Sequence, residues 1–370
     1  MYPHDSHYNR SNTQVPRRPR RSAQGKRLRR HRRSNALPML CTLLGLVLIT
    51  TVVMALVRPG TPVQAAPPED EAEAAALMEA ADPETVTPPE VENPEFTIHT
   101  TPDTLPVADD FPSQYVVLLD LETGEVLVER DSEAVINPAS MTKILTLLVA
   151  VENITDWNKT HTIDLEITDY CFFNRCSVVG YELGEVVYPR EALFGCILCS
   201  GADACLALAE IACGSHEAFV EKMNEKVEEL GLSQTTHFTN CVGLYDEDHH
   251  CSVRDMAIIL KAALENEVCR TVLTTKIFNT QPTSEHPDGQ VLSNWFIRRI
   301  EDLDMGDVTV LAAKTGYVSE SGFCAASYAK NEEGREFLCV TGDSTGTWQS
   351  IYDHQKLYQT YCQSESSSAS

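Results

Sequence analysis

From Pro59 to Pro112 the chain has no lysine or arginine, and from Met39 to Val57 it has no charged residue at all. Each absence excludes something. The first stretch holds eleven of the nineteen prolines and thirteen acids. It cannot bury enough apolar surface to offset chain entropy, so residues 58–113 are expected to form an extended, disordered acidic linker. The uncharged run of 19 residues is no exposed helix; it has about the length that a spanning helix needs. Basic side chains stay scarce further on. Residues 114–370 carry 17 Lys/Arg against 40 Asp/Glu, which argues against a nucleic-acid partner. No second CxxC and no spaced His pair accompanies Cys196/Cys199, and His249-His250-Cys251 is too crowded for three ligands on one ion, so no metal or cofactor is expected. No repeat period is evident.

Basic charge is concentrated at the N-terminus, where residues 1–35 hold eleven Lys/Arg against one acid, Asp5. Lys/Arg excess marks the cytoplasmic flank of a span. Residues 1–38 are therefore read as a cytoplasmic tail, 39–57 as a membrane anchor and the remainder as exported. The tail has only Tyr2 and Tyr8 as aromatics and adjoins the apolar run, which favours anionic lipid headgroups over nucleic acid as its partner. Val63-Gln64-Ala65 offers a signal-peptidase-like site, and cleavage there would make the protein secreted; the apolar run exceeds the usual signal core, which favours a retained single-pass anchor. Twelve of thirteen cysteines fall on the exported side. Cys171/Cys176 is spaced for a short loop bridge. The others are expected mostly as small buried thiols.

Residues 114–362 are expected to form one domain, with 363–370 a disordered tail and no second exported domain after it. "QYVVLLDLETGEVLVERD" predicts a hairpin turning at 122–125. Helical patterns follow at 138–152, 189–199, 203–213, 215–230 and 252–266. Strands return in "VTVLAAKTG", "GFCAASYA" and "EFLCVTGD", and a last helix in "TWQSIYDHQKLYQTYC". With strands at both ends and helices between, the fold class is α/β (α+β): one sheet made by the two ends of the domain, with helices packed on it.

Within "INPASMTKIL", Pro138 suits the first turn of a helix and Asn137 its cap. Ser140 and Lys143 then share one face at the mouth of a helix that is apolar all round to Glu152. Burial and the helix end both lower a lysine pKa, and a neutral amine can take a serine proton. The spacing alone is weak. Ser327-Tyr328-Ala329-Lys330 repeats it, but on an expected strand, where i and i+3 face opposite ways. Lys314-Thr315-Gly316 closes an alternating run; its cation and hydroxyl suit a carboxylate and a carbonyl, and its glycine permits close approach, although a plain strand-end turn reads the same way. Ser200 opens the run "SGADACLALAE", where simple N-capping is the blander reading.

Taken in order, Ser140-Met141-Thr142-Lys143, Ser200-Gly201-Ala202 and Lys314-Thr315-Gly316 resemble the motifs of the penicillin-binding serine peptidases. Over residues 114–362 the surroundings resemble the D-alanyl-D-alanine carboxypeptidases. That resemblance implies a β-lactamase/transpeptidase-like fold. It also implies removal of the terminal D-alanine from peptidoglycan stem peptides, with β-lactams as covalent inhibitors. It assigns Ser140 as nucleophile, Lys143 as its base and Ser200 as proton relay. Lys314 and Thr315 would hold the substrate's terminal carboxylate, Gly316 and Tyr317 complete the substrate-binding stretch, and the N–H groups of Ser140 and Tyr317 would hold the oxyanion. A β-lactamase or D,D-endopeptidase on the same scaffold, or a non-catalytic wall-binding module, are the alternatives. The family's second motif usually ends in asparagine; Ala202 cannot make that side chain's hydrogen bonds.

Overall fold

The computed structural model describes residues 96–364. Two short strands, β1 (Leu105–Pro106) and β2 (Tyr115–Asp120), lead into β3 (Val126–Arg130). Seven helices of eight or more residues follow among the described residues, before a single helical turn at Ile297–Ile300: α1 (Lys143–Asn153), α2 (Leu165–Phe173), α3 (Pro189–Leu198), α4 (Ala202–Cys213), α5 (His216–Glu229), α6 (Val253–Glu265) and α7 (Glu267–Thr274). The chain returns through β4 (Val308–Val318), β5 (Gly322–Asn331) and β6 (Glu336–Ser344) and ends in α8 (Thr347–Tyr361). The main sheet runs β1-β3-β2-β6-β5-β4, antiparallel apart from the parallel β1/β3 pair. Both ends of the domain thus meet at β2/β6, where Leu118 pairs with Cys339.

The sheet is buried on both faces, which explains why its strands read as nearly continuous apolar runs. On β2, Val117 and Leu119 enter the core shared with α1 and α3–α6, while Val116 and Leu118 enter a second core under α8. Ser327 and Lys330 follow the same alternation. Ser327 is buried against His354 and Tyr358, and Lys330 points out to Glu336, so the second S-x-x-K is a strand and not a site.

Two boundaries differ from expectation. The described residues from Phe96 onward are packed on the domain, inside the stretch assigned to the linker. Ile98, Val107 and Phe111 are buried, and Leu105–Pro106 pair with Val128–Glu129. Arg130 donates to the Phe111 and Ser113 carbonyls at 2.9 and 2.8 Å, and the Ser113 hydroxyl donates to Asp353. The segment is held by partners elsewhere in the chain, so its own composition gives no periodic signal. At the far end Gln363 and Ser364 still bond the domain, through Met305 and Asp307. The basic tail, the apolar run 39–57 and the linker up to residue 95 lie outside the described residues, and no helix among the described residues is long and apolar enough to cross a membrane. Helices α2 and α7 lie outside the ranges expected from the sequence pattern. All twelve cysteines of the domain are free thiols; the expected Cys171/Cys176 bridge is not formed, and the Cys176 N–H donates to the Cys171 carbonyl at 3.0 Å.

Candidate active site

Ser140 does not stand on a regular α-helix. Ala139–Thr142 forms a 3₁₀ turn, and α1 starts at Lys143. Asn137 accepts the Ala139 N–H at 2.9 Å, and Ala139 takes a left-handed φ of 49° at the start of the turn, so Pro138 precedes a reversal of the chain instead of opening the helix directly. A non-glycine residue there is uncommon. It is held from three sides. Thr142 Oγ1 donates to the Ala139 carbonyl at 2.7 Å, and His249 Nε2 lies 2.8 Å from that same hydroxyl. The Asn137 amide donates to the His249 carbonyl at 2.8 Å. Because His249 Nδ1 accepts the Thr239 N–H at 3.1 Å, the ring proton sits on Nε2, facing Thr142. Burial drives His249 down to about 3, so it is neutral at ordinary pH. It buttresses the Ser140 turn, a role that its sequence neighbours did not signal.

Lys143 is buried, with Nζ 3.0 Å from Ser140 Oγ and 2.5 Å from the Val242 carbonyl. Among the described residues no carboxylate pairs with it. The loop that supplies Val242 is itself organised by Asn240, whose side-chain oxygen accepts the N–H groups of Val242, Gly243 and Leu244. Gly243 has φ of 79°, and a Cβ there would lie 2.0 Å from the Ala139 carbonyl oxygen, so only glycine fits against the Ser140 turn.

Strand β4 is an edge of the sheet and brings Lys314, Thr315, Gly316 and Tyr317 to the other side of the same turn. A Cβ on Gly316 would fall 2.9 Å from both the Pro138 carbonyl oxygen and Ser140 N. The glycine is therefore required by backbone approach, as its place at the strand end suggested. Lys314 Nζ donates to Ser200 Oγ at 2.9 Å and to the Thr315 carbonyl at 2.7 Å. Burial first, and the Lys143 charge next, pull the Lys314 amine down to about 7.

Ser200 is not a helix cap. It is left-handed (φ 56°), Gly201 occupies the N-cap of α4, and the Ser200 hydroxyl turns to Lys314. Asp203, in the first turn of α4, does the structural work. Its carboxylate accepts N–H groups from Val179, Gly180, Tyr181 and Ala204. Burial raises its pKa while those four donors oppose the rise. Replacing Asp203 by alanine leaves buried donors without acceptors; roughly 3 kcal/mol of stability should be lost. A lowered denaturant midpoint and faster amide exchange at Val179 and Gly180 would register it.

Ser140, Lys143, Ser200, Thr315, Gly316 and Tyr317 line one cavity of about 320 Å³, with Lys314 immediately behind Ser200. Ala202 also lines it, and its N–H donates to the Ser177 carbonyl at 2.8 Å. Three separated motifs thus converge on one serine. A family model described as D-alanyl-D-alanine carboxypeptidase, peptidase S11, matches residues 102–345. The chain belongs to that family. It is 34% identical over 229 residues to D-alanyl-D-alanine carboxypeptidase DacF of Bacillus subtilis, covering 62% of this chain and 57% of that one. To DacA of Escherichia coli it is 32% identical over 168 residues, or 44% and 41% of the two chains. The chain thus spans about half the length of the curated relatives it matches. Among solved structures, a D-alanyl-D-alanine carboxypeptidase from Mycobacterium tuberculosis superposes with a TM-score of 0.57 at 26% identity, over 67% of this chain and 91% of that one. The Streptomyces K15 DD-transpeptidase, at 24% identity and TM-score 0.60 over 67% and 97%, shares the fold. The mixed α/β family fold expected from the motifs is the one present.

Proposed function

We propose that the domain is a serine D,D-carboxypeptidase that removes the terminal D-alanine from peptidoglycan stem peptides. The observation that carries this reading is the double lysine–serine contact across one cavity, Lys143 to Ser140 at 3.0 Å and Lys314 to Ser200 at 2.9 Å. In its neutral form the Lys143 amine takes the Ser140 proton as Oγ attacks the carbonyl of the penultimate residue. Developing negative charge on that oxygen is met by the N–H groups of Ser140 and Tyr317. That proton then passes from Lys143 through the Ser200 hydroxyl to the departing D-alanine amine, so both residues end as they began; the D-alanine carboxylate lies against Lys314 and Thr315. Water then releases the acyl group from Ser140. β-Lactams would acylate the same serine. We further propose that the apolar run 39–57 tethers this domain outside the cytoplasm, where its substrate lies. The test is release of D-alanine by the full chain from a pentapeptide ending in D-Ala-D-Ala; no release overturns the reading. Rapid β-lactam turnover, or release of crosslinked dimers, would point instead to a lactamase or an endopeptidase.

The depressed Lys314 amine gives a pH signature. It is cationic below about 7 and neutral above. kcat/KM reports groups of the free enzyme, so its alkaline limb should start near pH 7, with KM rising as the carboxylate loses its counter-charge. Lys314→Arg keeps the charge and should move that limb up and out of the range.

A further inference from the structure

The cavity's charge differs in sign from the domain that contains it. Residues 114–370 carry 40 acids, yet no aspartate or glutamate lines the cavity, whose charged lining residues are Lys143 and Arg175. Lys314 stands just behind the wall. Two of these three cations have partners in the site, since Lys143 holds Ser140 and Lys314 holds Ser200. Arg175 has no acid, carbonyl or aromatic partner among the described residues. Arg175 is exposed on the cavity wall with its guanidinium uncommitted, so it is available to a ligand.

The loop that presents Arg175 is fixed at several points. The Arg175 N–H donates to the Phe172 carbonyl at 3.2 Å and the Cys176 N–H to the Cys171 carbonyl at 3.0 Å. Ser177 is tied to Ala202, and Val179 and Gly180 are tied to Asp203. Binding there would not require the loop to be ordered first.

We propose that Arg175 binds a second carboxylate of the substrate. The assignment rests on the carboxypeptidase reading, in which Lys314 and Thr315 take the terminal carboxylate. The leaving D-alanine has no other carboxylate, so the second one belongs to the acyl portion, on a side chain upstream of the scissile bond. A planar guanidinium fork matches a carboxylate bidentately. The domain therefore selects stem peptides whose residue before D-Ala-D-Ala keeps a free side-chain carboxylate over those in which it is amidated or absent.

The test uses the full chain carrying Ser140→Ala and calorimetric titration with two peptides ending in D-Ala-D-Ala. They differ only in a side-chain carboxylate or carboxamide on the preceding residue. The carboxylate form should bind roughly ten-fold tighter or more. Adding Arg175→Gln should bring the ratio to about one, while Arg175→Lys retains part of it. Equal affinities in the first protein, or a ratio that survives Arg175→Gln, overturn the proposal. Weakening of both peptides with the ratio intact also overturns it, because that is what a structural role produces. D-alanine release by the chain with Ser140 intact reads the proposed function separately. An Arg175-dependent ratio without release sinks the hydrolase and keeps this site; release with a ratio of one does the reverse.

Discussion

Ser140→Ala should lower D-alanine release by roughly 10⁴- to 10⁶-fold while leaving the fold and substrate affinity nearly unchanged. The Ser140 hydroxyl makes its hydrogen bond to Lys143, and the turn around it is held by other groups, Asn137, Thr142 and His249. Losing one oxygen therefore removes the nucleophile without loosening its support. Thermal unfolding and peptide titration of the variant separate the two effects. A variant that lost binding or stability along with rate would make Ser140 a structural residue.

Lys143→Met should cost roughly 10²- to 10⁴-fold in kcat/KM, the range for removing a positioned general base. Methionine keeps most of the buried stem's packing and removes the expense of burying an amine, which offsets the donor lost by the Val242 carbonyl. The thermal midpoint should shift little. If Lys143 only filled the core, the rate would be spared. The rate of acyl-enzyme formation, followed with a β-lactam, reports this step alone.

Much of the site was legible because its parts are local. The hairpin, the late strands and six of the helices follow from the sequence pattern, and Gly316 announced a close approach. Each motif was nevertheless ambiguous alone, and Ser327/Lys330 shows why: spacing says nothing about which face a residue takes. What the sequence hid was long-range support. His249 looked like part of a surplus histidine cluster, but it fixes the Ser140 turn from 107 residues away. Asp203 is by position an acid in the first turn of a helix, yet it clamps a loop more than twenty residues upstream. Val242 contributes a carbonyl, which no side-chain pattern encodes. The segment 96–113 was missed for the same reason, because its order comes from Arg130 and Asp353. Ser200 was the subtler difference. Its position before an apolar helix suggested a cap, but a left-handed backbone turns the hydroxyl into the cavity and leaves capping to its neighbours.

The central claim is that Ser140 carries the acyl group. Incubating the full chain, wild type and Ser140→Ala, with a fluorescent penicillin, then mapping the label by peptide mass spectrometry, tests it most directly. The account predicts a single adduct on the peptide containing Ser140 in the wild type and none in the variant. Label on another residue, or label that persists in Ser140→Ala, would contradict it.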